Sequence, residues 1–588
     1  MFLGKFTISP IALTPMSISY GKLTIAVFVL FTLNAVAENI VYPVGTGIIN
    51  VTAFSVKENK TKVAYGADPT GLRDSSDAII KAIDEGVRVN AIVYFPNGIY
   101  RVSKTLIFSH TKIGYGNALD NQNMRLQGQS RAGTVIRLAD DTFTDSANPR
   151  PMISYIKSAK PSGPDFNDPT KGGGNIGFNN TLRNLTIDIG TNNPGASAVR
   201  FHGNNNASVR DVTIRSSDSA RRGAIGLDLS ADGNGPLIVK NVSISGFDIG
   251  MKTSVRGENH SVEHLALSGQ RALGILNLAT PLSIRDLVST NTVPALRNEP
   301  IAYDRNKLSG AGQIVLVDSV LKGGDAKRTA IENPNGWLFA RKVKVTGYGT
   351  AVQNRGVDAG FTAGAEFCSD APARAFVTSP PTSLDLPVRE TPEIPWDDPA
   401  TWLSVKSSFN GIPGAVGDGN HDDGAAIQSA IDSAGPANQT LYLPAKGIYT
   451  TTRTLILRGH VRRLILLSPL LPKGALLTGN QPVFRIMDGS APTVWIELSP
   501  HWPSYDSGNC YWFSHETKRT LVLLDSLFGR FRCYRNTVPG GKVFIENLGC
   551  GGRQGTSPEN TEPTLLFKNQ PLPPKQWVET GSNRRVAA

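Results

Sequence analysis

Short segments in which hydrophobic and polar residues alternate recur along the first two thirds of the chain. In residues 209–214 and 239–244 the apolar side chains fall on one side of an extended strand and the polar ones on the other. A pair made of one hydrophobic and one polar residue also recurs, at Asn184-Leu185, Asp211-Val212, Asn241-Val242, His264-Leu265, Asp286-Leu287, Val317-Asp318 and Lys342-Val343. The polar members are 22 to 32 residues apart. This spacing predicts the coils of a parallel β-solenoid.

One segment of the chain occurs twice. Residues 78–84 (Ala-Ile-Ile-Lys-Ala-Ile-Asp) recur 348 residues later at 426–432 (Ala-Ile-Gln-Ser-Ala-Ile-Asp). The matches that follow in the same order are Tyr94-Phe95-Pro96 with Tyr442-Leu443-Pro444, and Gly98-Ile99-Tyr100 with Gly447-Ile448-Tyr449. Each copy therefore predicts a short helix followed by the first strands of a solenoid.

The two predicted helices have the pattern of elements that cover an open end of a core. Alanine and isoleucine recur in both at helical spacing, which gives one apolar stripe. Asp74 or Ser75, and Asp422 or Asp423, are the expected N-caps. Gly86 and Gly435 suit the left-handed residue that ends a helix.

The first 37 residues resemble a signal peptide. An apolar run at 23–33 precedes Ala35-Val36-Ala37, a small-residue cleavage pattern, and the run is too short to span a bilayer. Removing this leader lowers the formal net charge from +12 to +10, because it carries Lys5 and Lys22. We therefore expect a secreted protein, extracellular or periplasmic, that contacts no membrane after cleavage.

Composition excludes some partners and leaves others open. The chain has 59 Gly and 38 Pro, which favours short strands joined by turns. No nucleic-acid-binding motif accompanies its basic charge, so nucleic acid is not an expected partner. The charge is compatible either with acidic glycans or with an ordinary solvated surface. Four cysteines permit disulfides in an exported protein without fixing a pairing: Cys368, Cys510, Cys533 and Cys550.

Prolines and the duplication predict the domain layout. The first β-helix domain is expected at 38–370, a proline-rich linker at 371–395 and the second β-helix domain at 396–588. The second domain has only 193 residues, short enough for a truncated solenoid.

Several motifs resemble a known family. Gly66-Ala67-Asp68 with Gly71, the repeated helix and Tyr94-Phe95-Pro96, and in the second copy Gly417-Asp418-Gly419, are similar to the opening of the rhamnogalacturonase/epimerase-like pectate lyase superfamily. Two tandem copies also resemble the two-domain β-helix exo-β-1,3-glucanases. The resemblance implies an all-β fold of two tandem right-handed parallel β-helices (pectin-lyase-like solenoids) with N-terminal cap helices. It also implies a polysaccharide substrate held between them.

Glycoside hydrolysis needs two carboxyl groups, one that donates a proton and one that acts as nucleophile or base. The resemblance to the two-domain glucanases places the acid in the second domain, where the candidates are Glu497, Glu516 and Glu546. In the first solenoid, Asp211 and Glu263 are the candidates, from a series of acidic residues on successive coils. Each of them alone is equally compatible with a solvated carboxylate.

Aromatic residues near Glu497 are candidates for substrate binding, since aromatic faces stack on sugar rings: Trp495, Trp502, Tyr511 and Trp512. The alternative is that they belong to the core, where large aromatic side chains usually lie.

A lyase is the alternative reaction. It would need a cation, commonly calcium held by oxygen ligands, and an Arg or Lys base, and Arg200, Arg210 and Arg215 lie near Asp211 and Asp218 in sequence. The resemblance to the two-domain glucanases makes a hydrolase of β-1,3-glucanase type, without a cofactor, the leading hypothesis. The remaining alternative is a non-catalytic glycan-binding or structural β-helix.

Overall fold

A computed structural model describes residues 39–40, 42, 45–56, 62–108, 123–155, 177–231, 234–253, 259–299, 301–302, 309–310, 312–362, 364–371, 382–500, 508, 510–529, 532–550, 565–567 and 586–587. The expected leader, residues 1–37, and Trp502 lie outside the described residues. Among the described residues, no helix combines the length and the apolar character needed to cross a bilayer.

Two parallel sheets form the first solenoid. Sheet 1a contains, in spatial order, Ile48–Asn50, Ile92–Phe95, Arg125–Gly128, Thr181–Asp188, Ala207–Arg215, Leu237–Ser245, His260–Ser268, Pro281–Thr290, Gln313–Val317, Trp337–Arg341 and the antiparallel Glu366–Cys368, with Thr70–Asp74, Gly98–Val102, Thr134–Leu138, Val320–Lys322 and Lys344–Val345 paired beside this path. Sheet 1b contains Leu106–Phe108, Arg150–Tyr155, Ala196–Arg200, Ile225–Asp228, Ile249–Lys252, Leu273–Leu278, Leu296–Glu299, Thr329–Asn333, Thr350–Asn354 and the antiparallel Val357–Asp358. Two antiparallel pairs lie apart: Phe54–Val56 with Lys62–Ala64, and Ile301–Ala302 with Ser309–Gly310.

The second solenoid repeats this arrangement with fewer strands. Sheet 2a contains Leu403–Ser404, Thr440–Leu443, Arg463–Leu466, Thr493–Glu497, Thr520–Phe528, Val543–Cys550 and the antiparallel Val586–Ala587. Sheet 2b contains Leu455–Gly459, Pro482–Gly489, Tyr511–His515, Arg532–Asn536 and Leu565–Phe567, and Tyr449–Thr451 pairs with Leu470–Pro472. The helices are Ser76–Arg88, Gly424–Asp432 and Ala475–Thr478, with a 3-10 turn at Pro399–Thr401. The expected fold class, tandem right-handed parallel β-helices with cap helices, is confirmed.

The recurrent hydrophobic–polar pair marks a bend in each coil. Its polar members all have a left-handed backbone, with φ between 52° and 60°: Asn184, Asp211, Asn241, His264, Asp286, Asp318 and Lys342. Asn and Asp tolerate this conformation better than most residues, since their short polar side chains bond locally. In six of the seven pairs the adjacent hydrophobic member is buried in the core, as Val212 and Val242 are, and Val317 is half-buried. The pair therefore recurs once per coil because each coil bends once at this position.

An asparagine ladder runs through the first solenoid. Asn277 donates to Asn298 (2.9 Å), Asn298 to Asn333 (2.9 Å) and Asn333 to Asn354 (2.8 Å), each through its side-chain amide. The first three side chains are buried. The ladder satisfies polar atoms that the stacked coils remove from water.

The two cap helices bury equivalent residues, Ile79, Ala82 and Ile83 in the first and Ile427, Ala430 and Ile431 in the second. Their ends differ from expectation. The first helix continues through Gly86 to Arg88, and Asn90 (φ 54°) is the left-handed residue beyond it. Gly86 serves close packing instead, because a Cβ there would lie 2.5 Å from Val93. The second helix ends at Asp432, before Gly435.

The aspartates of the glycine-rich motifs hold loops in place. Asp68 accepts hydrogen bonds from the backbone N–H groups of Thr70 (3.0 Å) and Arg73 (2.8 Å), and Asp418 accepts from those of Asn420 and His421 (both 2.9 Å). These motifs therefore have a structural role in both copies. Among the cysteines, Cys533 takes part in a disulfide.

Residues 39–588 form one compact unit, in which sheet 1a faces sheet 2a. Main-chain oxygens of three left-handed residues of the second solenoid, Leu498, Asp525 and Asn547, accept side-chain hydrogen bonds from the first. The donors are Arg125 (3.0 Å), Asn179 (2.8 Å) and Asn206 (2.8 Å), respectively. We call this set of three contacts the seam. It fixes the register of the two solenoids coil by coil.

Candidate functional site

A cavity of about 380 Å³ lies beside the seam, between the two solenoids. Sheet 1a contributes one column of side chains to it, because Tyr94, Gln127, Arg183 and Arg210 are direct register partners on consecutive strands. Sheet 2a contributes Glu497 and its neighbours, and residues 393–397 form a third wall. The volume lies within the range of about 300–1,000 Å³ typical of small-molecule sites.

Aromatic side chains form much of the wall. Trp495, on strand Thr493–Glu497, donates its indole N–H to the Pro392 carbonyl (3.0 Å). Tyr42 packs edge-on against Tyr94 with 4.6 Å between ring centroids. Trp396 completes the wall, with the Arg183 guanidinium 5.2 Å from its ring centroid. Such a surface suits the apolar faces of a sugar ring.

Glu497 lies deep in the cavity and is only 3% exposed. Its Oε1 accepts the indole N–H of Trp396 (3.0 Å) and lies 3.0 Å from Nε of Arg463, while Oε2 is 3.8 Å from Nη1 of Arg183. Burial lowers the pKa of Arg463, and the charge of Glu497 opposes this shift. Glu497 therefore contacts two guanidinium groups and one indole donor.

Asp211 reaches the cavity from the other solenoid. It occupies the left-handed bend after Arg210 and is half-buried. The side-chain amide of Asn241 donates to its Oδ1 (2.5 Å) and accepts from Nη1 of Arg131 (2.9 Å). Of the residues singled out from sequence, the structure therefore brings Asp211, Glu497 and Trp495 together in one cavity.

Glu546 lies next to this cavity but not in its wall. It is 1% exposed and contacts Arg210 (2.5 Å), Lys240 (3.1 Å) and the hydroxyl of Thr391 (2.6 Å). Burial alone would raise the pKa of Glu546, but the charges of Arg210 and Lys240 outweigh burial and hold the pKa far below its usual range. These contacts suit a structural ion pair rather than a proton donor.

The other two carboxylate candidates lie elsewhere. Glu516 pairs with Arg485 (3.1 Å) beside sheet 2b. Glu263 contacts Arg285 (3.2 Å) and is close enough to His264 and Glu390 for a cation to fit among the three. Nη1 of Arg285 already lies 2.8 Å from Glu390, so a guanidinium occupies this group.

Two of the aromatic candidates also lie apart from the cavity. Trp512 is buried in the core of the second solenoid, 4.9 Å from Phe528 between ring centroids. Tyr511 lies beneath the guanidinium of Arg535, at 4.8 Å. Both side chains therefore fit the alternative expectation, that these aromatic residues pack in the protein and do not bind substrate.

The arginines considered for a lyase do not converge on Asp211. Arg210 pairs with Asp525 (2.9 Å) and Glu546, and Arg215 with Asp188 (2.9 Å). Asp218 pairs with Arg222 (3.1 Å). Calcium is expected only if the protein is a lyase, and its binding stays a prediction.

Several residues of the cavity wall are not marked by any pattern in the sequence. Trp396 and Asp397 lie just after the proline-rich stretch, whose composition predicts only a lack of regular structure. Asp525 could have been predicted from the sequence, because Leu524-Asp525 repeats the hydrophobic–polar pair in the second solenoid. The backbone of Asp525 is left-handed, with φ 43°.

Comparison with known proteins supports the sequence-based resemblance. The family model described as rhamnogalacturonase A/epimerase, pectate lyase-like, matches residues 62–293 and 412–462. A glucan 1,3-beta-glucosidase from Cochliobolus carbonum is 22% identical over 480 residues, which are 74% of this chain and 54% of that protein. The chain thus spans about half the length of this curated relative.

Among solved structures, the chain matches the catalytic unit of a GH87 alpha-1,3-glucanase from Streptomyces thermodiastaticus (13% identity, 93% of this chain and 73% of that one, TM-score 0.29). A tailspike protein of E. coli bacteriophage HK620 in complex with a pentasaccharide matches at 10% identity (89% and 78%, TM-score 0.34). The two stretches matched by the family model contain both cap helices and the strands that follow them. Over these stretches the chain resembles the rhamnogalacturonase A/epimerase, pectate lyase-like family.

Proposed function

We propose that the protein is an extracellular polysaccharide-degrading enzyme, a glycoside hydrolase of β-1,3-glucanase type that binds its substrate in the cavity between the solenoids. One observation carries this proposal: Asp211 of the first solenoid and Glu497 of the second line the same aromatic-walled cavity. Paired carboxyl groups are the usual machinery of glycoside hydrolysis. The name of the curated relative, a glucan 1,3-beta-glucosidase, agrees with this reaction.

The surroundings of the two carboxyl groups favour different roles. Glu497, which contacts Arg463 and Arg183, is assigned as the nucleophile or the base that activates water, in place of the acid role that the family resemblance implied. Asp211, nearer the solvent, is assigned as the group that protonates the leaving oxygen. Trp396 and Trp495 would hold the ring that carries the reacting carbon.

The proposal predicts that the purified protein releases reducing sugar from laminarin. Pectin and rhamnogalacturonan, assayed in parallel for reducing ends and for the ultraviolet absorbance of unsaturated products, test the lyase alternative. Formation of unsaturated products would show that the enzyme is a lyase and not a hydrolase. No product from any of the three polysaccharides, with a folded protein, would overturn the enzymatic proposal.

Glu497→Gln and Asp211→Asn should each lower kcat at least about 100-fold, since acid–base catalysis contributes roughly 10²–10⁴-fold. Glu332→Gln is the matched control, because Glu332 pairs with Arg297 away from the cavity. It should retain wild-type activity. Full activity in both cavity variants would remove these residues from the mechanism.

Non-catalytic glycan binding is the second candidate function. The observation that favours it is the pairing of the deep carboxylates with cations: Glu497 contacts two guanidinium groups, and Glu546 contacts Arg210 and Lys240. Binding of laminarin oligosaccharides without any turnover would support this function over the hydrolase.

A further inference from the structure

Two polar atoms that line the cavity are buried without a hydrogen-bond partner. Within the part of the chain that the structure describes, the hydroxyl of Tyr94 and the side-chain carbonyl oxygen of Gln127 make no hydrogen bond. Tyr94 is 1% exposed and Gln127 is 6% exposed. Buried polar groups are almost always paired, because leaving one unpaired costs about 1–3 kcal/mol. Both atoms therefore point to something that binds in the cavity.

The two side chains are positioned to act on one group. Tyr94 and Gln127 are direct register partners on neighbouring parallel strands, so they lie on the same face of sheet 1a, about 4.8 Å apart. Burial raises the pKa of Tyr94 well above its usual value, so its hydroxyl stays protonated and can donate. The Gln127 oxygen accepts. A sugar hydroxyl, which both accepts and donates, can bridge them.

The charges of the cavity select against an acidic sugar. Five carboxylates line the cavity against three guanidinium groups. Each guanidinium already faces a carboxylate: Arg183 and Arg463 face Glu497, and Arg210 faces Asp525. Two further carboxylates of the wall are paired with cations behind it, Glu393 with Lys240 and Asp397 with Arg462. An incoming uronate would therefore meet guanidinium groups that already have a carboxylate partner.

We propose that Tyr94 and Gln127 form a hydroxyl-binding subsite for a neutral pyranose ring, supplied by the first solenoid to the cavity that holds Glu497. This inference rests on the proposed function, because it concerns the same cavity. It extends that function by assigning substrate recognition to the first solenoid.

Isothermal titration calorimetry with laminaritriose and trigalacturonate tests the subsite, in a Glu497→Gln background that prevents turnover. Tyr94→Phe and Gln127→Leu each remove the polar group and keep the side chain's approximate size. Each should weaken laminaritriose binding about three- to tenfold, the effect of one lost hydrogen bond. Neither should lower the Tm, because the Tyr94 hydroxyl and the Gln127 carbonyl oxygen have no hydrogen-bond partner among the described residues.

Tyr100→Phe is the matched control. The hydroxyl of Tyr100 is equally buried but donates to the Pro96 carbonyl (2.9 Å). This variant should lower the Tm and leave laminaritriose affinity unchanged.

The outcomes separate this inference from the proposed function. Unchanged affinity in Tyr94→Phe and Gln127→Leu, with hydrolysis in the wild type, would overturn the subsite and leave the hydrolase standing. Weakened binding in both variants, with no hydrolysis by the wild type, would support the subsite and count against the hydrolase. Trigalacturonate binding as tight as laminaritriose binding would overturn the preference for a neutral ring, and failure of both trisaccharides to bind would overturn the subsite.

Discussion

Glu497 and Glu546 lie in one column of sheet 2a, on strands separated by the strand that carries Leu524. The two residues differ in whether their carboxylate oxygens can be reached from the cavity. Glu497 borders the cavity, whereas both oxygens of Glu546 contact Arg210, Lys240 or Thr391. Breaking a buried pair leaves uncompensated charge, which costs more than the pair contributes. We therefore expect Glu546 to affect stability, whereas the proposed chemistry is assigned to Glu497.

Glu546→Gln should therefore lower the free energy of unfolding by about 3 kcal/mol, because Arg210 and Lys240 keep their buried charges without a full counter-charge. Urea denaturation followed by circular dichroism measures this loss. Glu516→Gln is the comparison, since its partner Arg485 is partly exposed. It should cost no more than about 1 kcal/mol. Equal effects of the two substitutions would contradict the structural role of Glu546.

The same residue predicts a pH dependence. The pKa of Glu546 is lowered in the folded state relative to its ordinary value of 4.5. Its contribution to stability is therefore complete above about pH 4.5 and is lost as the pH falls below that value. The difference in unfolding free energy between wild type and Glu546→Gln should shrink from pH 6 to pH 3. A difference that is constant over this range would show that the carboxylate charge is not responsible.

Each coil is built from the same parts: an inward apolar residue, a left-handed bend and, in the later coils, an asparagine that stacks on its neighbours. Asn298, in the middle of the ladder, also donates to the Gly312 carbonyl (3.0 Å) and is fully buried. Asn354, at the end of the ladder, is only half-buried. The stability of the ladder should therefore depend on position.

Asn298→Ala should destabilise the protein by about 1–3 kcal/mol, because it leaves buried partners on two adjacent coils unpaired. Asn354→Ala should cost clearly less, because Asn354 lies closer to solvent and its bond to the Ser369 carbonyl is long (3.4 Å). Thermal unfolding of the two variants makes the comparison. A greater loss at Asn354 would contradict a ladder stabilised by burial.

The coils could be predicted from sequence because their signal is local. One bend per coil places a polar residue such as Asp211 or Asn241 beside a core residue at a regular interval, and the cap helices have a stripe of their own. The contacts of the cavity have no such signal. Arg210 and Glu546 are 336 residues apart, and their pairing depends on how two complete solenoids align. The family resemblance implied a site between the two solenoids, and Glu497 and Asp211 could be named as carboxylates, but the contacts that each makes there could not be predicted.

The two solenoids are joined by directional bonds as well as by apolar packing. The seam connects three successive coils, and one apolar cluster contains residues of both halves, among them Tyr42, Tyr94, Trp402 and Tyr442. Arg210 adds a buried pair of ionic contacts to Asp525 and Glu546. An interface of this kind couples the unfolding of the two halves.

Calorimetry should accordingly show one unfolding transition for the wild type and two separated transitions for Arg210→Ala, because the variant removes a buried cation that links Asp525 and Glu546 of the second solenoid to the first. Arg215→Ala is the matched control on the same strand, since Arg215 pairs with Asp188 within the first solenoid. It should keep a single transition. Two transitions in the wild type itself would mean that the seam does not couple the halves.

The seam also determines where the molecule can change in length. Its three contacts recur once per coil in both solenoids, so each coil of the first solenoid is matched by one coil of the second along the seam. A coil inserted between Arg125 and Asn206 would shift at least one of the later contacts away from its partner. The residues that form the cavity would then no longer face one another. A coil added after Trp337–Arg341 would change neither. Homologues should therefore vary in coil number at the far end of the first solenoid and keep a constant number beside the cavity.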